Sequence, residues 1–176
     1  MSAAQIAITA MPLGKAQIDQ RAGKYLIFQL GLEEFGISVM QVKEIMKMQE
    51  VTSVPQTSHY LQGVINLRGR IVPVVNLRRK FSLPDAENTD RTCIVVVRSV
   101  IGGVEQPMGL IVDGVQEVLM LSSSEIEDAP DFGREVLSDY VRGMATCKGK
   151  VKILLDIDVV LNGTSHGLQL MDNLDS

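Results

Sequence analysis

Histidine occurs twice in the 176 residues, as His59 beside a turn and His166 near the C-terminus, so no base or zinc ligand set comes together from spacing alone. Cys93 lies in an apolar run and Cys147 stands far from it without a CxxC partner, which points away from a disulfide framework or a metal cluster and towards a reducing compartment. The carboxylates Asp113, Glu117, Glu125, Glu127 and Asp128 match no calcium loop, and no HExxH pattern is present; they read as a solvated acidic face. The glycines form neither GxGxxG nor GxxxxGK[ST], so a nucleotide cradle is not expected. These residues imply no catalysis, no metal and no cofactor.

The side chains that suggest recognition lie elsewhere. Gly63-Val64-Ile65-Asn66-Leu67-Arg68-Gly69-Arg70-Ile71-Val72-Pro73-Val74-Val75 reads as strand, tight turn, strand, with Gly69 supplying a positive φ. One reading leaves two solvated arginines at the tip. The other has a rigid turn presenting Arg68 to an acidic or amide-rich partner, since arginine is favoured at binding hot spots. Pro73 cannot donate to a central ladder, which places the second strand at an edge or bends it there. Val39, Val42, Ile45 and Met46 stand at helical spacing. Such a stripe is either core or, where it borders a groove, an apolar anchor of Val42 and Ile45 with Glu44 at its rim.

These candidates need a frame to hold them. With 45% hydrophobic residues the chain can bury one real core or two very small ones. A net charge of -4, 4% aromatic residues and no Trp argue against a nucleic-acid binder. No basic leader or apolar run of about 18 residues stands out, so neither export nor a membrane span is expected. Val/Ile-rich stretches at Tyr25 to Leu30, Ile71 to Val75, Ile94 to Val97, Leu110 to Val112 and Val151 to Leu155 alternate with Gly, Pro and Asp/Ser clusters, the pattern of many short strands. Ser122-Ser123-Ser124-Glu125 resembles a capping box, and Pro130 limits any helix begun there to a brief one. Residues 1 to 23 and 162 to 176 read as flexible tails.

An internal repeat organises the middle. Phe35 to Met46 aligns without gaps on Met108 to Leu119, an offset of 73, with Gly36/Gly109, Val39/Val112, Val42/Val115 and Glu44/Glu117 identical. A second block follows at an offset of 80, pairing Tyr60/Tyr140, Gly63/Gly143, Arg68/Lys148, Gly69/Gly149 and Arg70/Lys150. The chain is thus a duplicated unit of roughly five strands, with approximate copies at 24–82 and 90–161. A sheet that small exposes its edges unless it closes into a barrel and packs on a neighbour, so two barrels leaning together are expected. The repeat leaves open whether each barrel is contiguous in sequence.

From Lys24 to Leu161 the chain resembles the CheW-like domain of bacterial chemotaxis. The resemblance is carried by Tyr25-Leu26-Ile27-Phe28, Phe35-Gly36-Ile37, Val42-Lys43-Glu44-Ile45, Gly63-Val64-Ile65-Asn66-Leu67-Arg68-Gly69, Val72 to Arg78, Leu110 to Val115 and Leu154-Leu155-Asp156, in that order. It implies an all-β fold of two intertwined five-stranded, SH3-like barrels packed side by side, with short helices. It also implies a cytoplasmic adaptor, recruited to receptor clusters at the inner membrane, that binds chemoreceptor hairpin tips and the regulatory domain of the CheA histidine kinase, with further CheW-like domains as ring partners. Carried over by position, the receptor-facing residues are Val42, Glu44, Ile45, Gly63, Asn66 and Arg68; no residue is assigned to the kinase-facing surface. The alternatives are a CheW-type adaptor of a parallel pathway such as surface motility, a small-barrel nucleic-acid or ligand-binding protein, and an unrecognised enzyme.

Overall fold

A computed structural model describes residues 20–130 and 139–162, which leaves the tail segments 1–19 and 163–176 outside the described residues. The described residues form ten strands, five of which (the first, fifth, sixth, seventh and tenth) hold the Val/Ile-rich stretches: β1 (Gly23–Leu30), β2 (Glu33–Ser38), β3 (Val42–Lys47), β4 (Leu61–Leu67), β5 (Arg70–Asn76), β6 (Cys93–Ile101), β7 (Val104–Val112), β8 (Gly114–Leu121), β9 (Val141–Cys147) and β10 (Lys150–Leu155). A short helix, α1 (Leu77–Lys80), follows the fifth strand, and another, α2 (Ile157–Asn162), follows the tenth. The helix expected at Ser122 is a single 3₁₀ turn over Ser123–Glu125, where the Glu125 carboxylate accepts from the Ser122 backbone N–H at 2.9 Å.

The strands form two five-stranded sheets in the orders β8-β1-β2-β10-β9 and β3-β6-β7-β5-β4. Each sheet therefore takes a hairpin from one half of the chain and three strands from the other. The connections force this exchange. β3 follows β2 after only the 3₁₀ turn Val39–Gln41, and β8 follows β7 after Asp113 alone. Were β1–β2 to pair within its own half, β3 would lie beyond β1 and parallel to β2, and such a crossover takes about a dozen residues. The hairpin β1–β2 instead enters between β8 and β10, pairing β2 with β10 in parallel, and β6–β7 enters between β3 and β5, pairing β7 with β5 in parallel.

Each sheet then closes through one isolated bridge. Thr52 exchanges two backbone hydrogen bonds with Val64 (2.9 and 2.8 Å), and Glu127 does the same with Met144 (2.8 and 2.8 Å). The repeated glycines beside these bridges make room for them. A Cβ on Gly63, whose φ is +148°, would stand 2.0 Å from the Thr52 carbonyl oxygen, and one on Gly143 would stand 2.9 Å from that of Glu127.

Alternation along the strands sorts the apolar residues into three cores. Tyr25, Ile27, Leu121, Ile126, Ala145 and Leu154 fill the first barrel; Ile65, Val72, Val74, Ile94, Val96 and Ile111 fill the second. The largest core lies between them, with Leu26, Phe28, Leu30, Phe35 and Ile37 facing Val95, Val97, Met108, Leu110 and Val112. Leu77 of α1 and Ile157, Val160 and Leu161 of α2 also belong to it.

Three sequence expectations change. Val39 to Met46 is a 3₁₀ turn and a strand, not a helix. A bulge between Val42 and Glu44 produces the helical-looking spacing: Val42 faces Val97 and Ile45 faces Val95, both seam residues, whereas Glu44 and Met46 face Val96 and Ile94 of the barrel interior. Of the two outcomes expected at Pro73, an edge position or a bend, the edge position is not met: β5 lies between β4 and β7, and its pairing with β7 begins at Val74, just past Pro73. Asp113 does not belong to a solvated acidic face. It accepts from Arg78 Nε at 2.8 Å and Nη2 at 2.6 Å, and from the Gly31 N–H at 2.7 Å. Burial pushes its carboxyl up, yet the Arg78 hydrogen bonds, the Gly31 N–H and the Arg78 charge together hold it below its ordinary value.

Candidate docking surface

The turn between β4 and β5 has two residues, Arg68 with φ +51° and Gly69 with φ +85°. Positive φ at both positions is the signature of a type I′ turn, one of the two-residue hairpin turns whose twist matches that of the strands they join. Glycine adopts it freely, while arginine is strained there by its Cβ. Asn66 helps to hold the turn, its Oδ1 accepting from the Gly69 N–H at 2.8 Å. The Arg68 side chain is therefore launched from a fixed backbone at the rim of the second barrel, with 75% of its surface exposed.

It meets Glu44 on β3. Arg68 Nη1 donates to Glu44 Oε2 at 2.8 Å and Nη2 to Oε1 at 3.4 Å, a forked contact that links the two end strands of the sheet. The Glu44 hydrogen bonds and charge raise the guanidinium pKa further above its already high ordinary value, so it is charged at any working pH. Ile45 is 46% exposed on the other face of β3, and Val42 is half-buried against the core between the barrels.

The six candidate residues thus divide by role. Glu44 and Arg68 touch, Asn66 braces the turn beneath Arg68, and Val42 with Ile45 forms an apolar flank across the strand. Gly63 is buried, where it admits the Thr52 bridge. The sequence reading did not single out Ile71, which is 62% exposed and faces Asn66 in the β4–β5 register. Strand alternation would have found it once the turn was fixed at Arg68-Gly69.

The second half builds the same rim. Lys148 and Gly149 form the β9–β10 turn with φ +54° and +76°, and Lys148 Nζ stands 3.7 Å from Glu117 Oε1 on β8. The halves also meet at Lys80, whose ammonium lies 4.2 Å from the ring centre of Tyr60 and 5.6 Å from that of its repeat partner Tyr140.

Among the described residues no three His, Cys, Asp or Glu side chains are placed to hold a metal ion. Cys93 is buried and its thiol pKa is raised by that burial; Cys147 is partly exposed, and both are free. No helix among the described residues is long and apolar enough to cross a membrane.

The family model of the CheW-like domain matches residues 24–165. The chain belongs to the CheW-like family. It is 35% identical to the chemotaxis protein CheW of Klebsiella aerogenes over 166 residues, covering 92% of this chain and 96% of that relative. It is likewise 35% identical to the chemotaxis protein CheW of Bacillus subtilis over 142 residues, covering 81% of this chain and 88% of that one. In structure it resembles the scaffolding protein TtCheW of Thermoanaerobacter tengcongensis, with a TM-score of 0.71, 30% identity, and coverage of 80% of this chain and 88% of that one. The pair of exchanged five-stranded sheets is thus the CheW-like fold, and the rims at Arg68 and Lys148 lie inside the matched region.

Proposed function

We propose that this protein is a chemotaxis adaptor that couples the cytoplasmic hairpin tips of chemoreceptors to the regulatory domain of the CheA histidine kinase, without chemistry of its own. The observation that carries the reading is the Arg68 rim. A guanidinium fixed by a two-residue turn, gripped by Glu44 and flanked by exposed Ile45 and Ile71, suits an acidic helix with an apolar face. Receptor contact falls to Arg68, Glu44 and Ile45, with Val42 behind them; Asn66 and Gly63 serve by holding the turn and the barrel closure. The relatives' names supply the pathway, and their likeness spans nearly the whole chain.

Binding both proteins at once would align them, so that occupancy at the receptor is transmitted to the kinase by geometry. The protein then works in the cytoplasm at receptor clusters beneath the inner membrane, where further CheW-like domains can extend the assembly. The test is reconstitution of kinase autophosphorylation with receptor fragments on vesicles. The chain should raise the phosphorylation rate only when receptor and kinase are both present. An unchanged rate, with all three proteins folded, overturns the proposal.

A further inference from the structure

The duplication repeats a set of exposed side chains as well as a fold. Glu117 and Lys148 stand where Glu44 and Arg68 stand in the other half, with side-chain exposures of 32% and 76% against 26% and 75%. β8 carries a bulge like that of β3: Phe28 pairs with Val115 and Ile27 with Glu117, so Val115 and Val118 share a face as Val42 and Ile45 do. Val118 is 53% exposed, and Met120, 65% exposed, continues the same face where the first half has Lys47. This apolar strip is bordered by cations. Lys24 faces Met120 in the β1–β8 register; Lys148 forms the β9–β10 turn, and Lys150 follows it with its ammonium 3.9 Å from Glu34 Oε1, all three residues exposed.

An exposed apolar strip with Lys24 beside it and Lys148 and Lys150 at the adjoining turn, the latter two near Glu117 and Glu34 respectively, keeps a net positive rim and is complementary to an acidic segment with an apolar face. The two rims are also separate. Each ties the end strands of its own sheet, β3 to the β4–β5 turn and β8 to the β9–β10 turn, whereas the barrels pack through the inner strands β1, β2, β6 and β7.

We infer that the rim of Glu117, Val118, Met120 and Lys148 is a second docking site, taking a second acidic, apolar-faced receptor tip, so that one chain holds two tips at once. It rests on the reading of the Arg68 rim given above. The two sites differ in strength because an ammonium makes a point contact where a guanidinium presents a fork, and the second site binds about tenfold more weakly. A bivalent chain also gathers receptors by itself, since linking two sites raises the local concentration of each partner.

The experiment is a calorimetric titration of the full chain with a soluble chemoreceptor hairpin fragment, together with Arg68→Glu, the pair Lys24→Glu/Lys148→Glu, and all three substitutions combined. Circular dichroism melts check the fold of each. The inference expects two fragments per wild-type chain, the weaker event alone in Arg68→Glu, the tighter alone in the lysine pair, and none in the combination. One fragment per wild-type chain, or a lysine pair that titrates like the wild type, overturns it while leaving the Arg68 site standing. No binding by the wild type at all overturns the Arg68 reading and this one together. A chain that sediments alone as a dimer, and as a monomer in the lysine pair, assigns the rim to a second copy and overturns the inference as well.

Discussion

Replacing Gly63 by alanine tests how the Arg68 rim is held. Its φ of +148° suits glycine, and the added Cβ would stand 2.0 Å from the Thr52 carbonyl oxygen and 2.7 Å from its carbon. Backbone rather than a flexible side chain must move, so the bridge between Thr52 and Val64 opens and its two hydrogen bonds are lost. Each is worth about 1 kcal/mol net. Residual strain from forcing alanine into a sparsely populated backbone region adds about 1–3 kcal/mol, for a total of about 3–5 kcal/mol. That is a large share of the about 5–15 kcal/mol by which a domain is stable. Gly69→Ala provides the control: its φ is also positive at +85°, but nothing lies within 4 Å of the new Cβ, so only strain of about 1–2 kcal/mol remains. Urea denaturation gives the stabilities, and amide exchange at Thr52 and Val64 reports the bridge. If Gly63→Ala costs less than Gly69→Ala, or the Thr52 and Val64 amides stay protected, the closure argument is wrong.

Other perturbations probe other parts of the fold. Val96→Asp places a charge without a partner in the core of the second barrel, where Val96 is fully buried; the sheet signal in circular dichroism should be lost, and a cooperative melt would contradict this. Glu34 and Lys152 form a buried ion pair between the parallel strands β2 and β10, with Lys150 3.9 Å from the same carboxylate, so Lys152→Met alone should cost somewhat less than the about 3–5 kcal/mol of a buried pair broken outright, while Glu34→Leu with Lys152→Met should come close to wild type in urea. Glu34, hydrogen-bonded to Lys152, and Asp113, bonded to Arg78 against the cost of burial, both have carboxyl pKa values below their ordinary 4.5 and 3.8. A depressed folded pKa contributes stability that is complete above the unfolded value and lost as pH falls through the folded one. The urea midpoint should therefore show no loss from these two groups between pH 7 and 5 and decline below about 4.5, and Asp113→Asn should flatten the lower part of that decline.

Much of this architecture could be read from residue order. Tyr25 to Leu30, Ile71 to Val75 and Val151 to Leu155 are strands because β-branched and aromatic residues cluster there between turn formers, and the repeat pairs such as Gly63/Gly143 and Arg68/Lys148 occupy equivalent places. The β3 segment misled because a bulge at Lys43 puts Val42 and Ile45 on one face three residues apart, and periodicity cannot tell that from a helix turn. Arg78 and Asp113 lie 35 residues apart and meet only because β8 follows β7 without a loop, which composition does not reveal. The strand exchange was legible in principle: the lengths of Val39–Gln41 and of the Asp113 link decide it, but only once the strand ends are known. The Glu44–Arg68 contact depends on barrel closure, so the motif located both residues without showing that they touch.

The most direct test of the adaptor account is a pair of titrations, with wild type and Arg68→Glu each added to a chemoreceptor hairpin fragment and, separately, to the kinase regulatory domain. The account predicts that the wild type binds both, and that Arg68→Glu melts like the wild type and keeps its kinase affinity. The same variant should lose about 2 kcal/mol or more, roughly thirtyfold, at the tighter receptor site. Wild type that binds neither partner at about tens of micromolar, or an Arg68→Glu variant with unchanged receptor affinity, would contradict it.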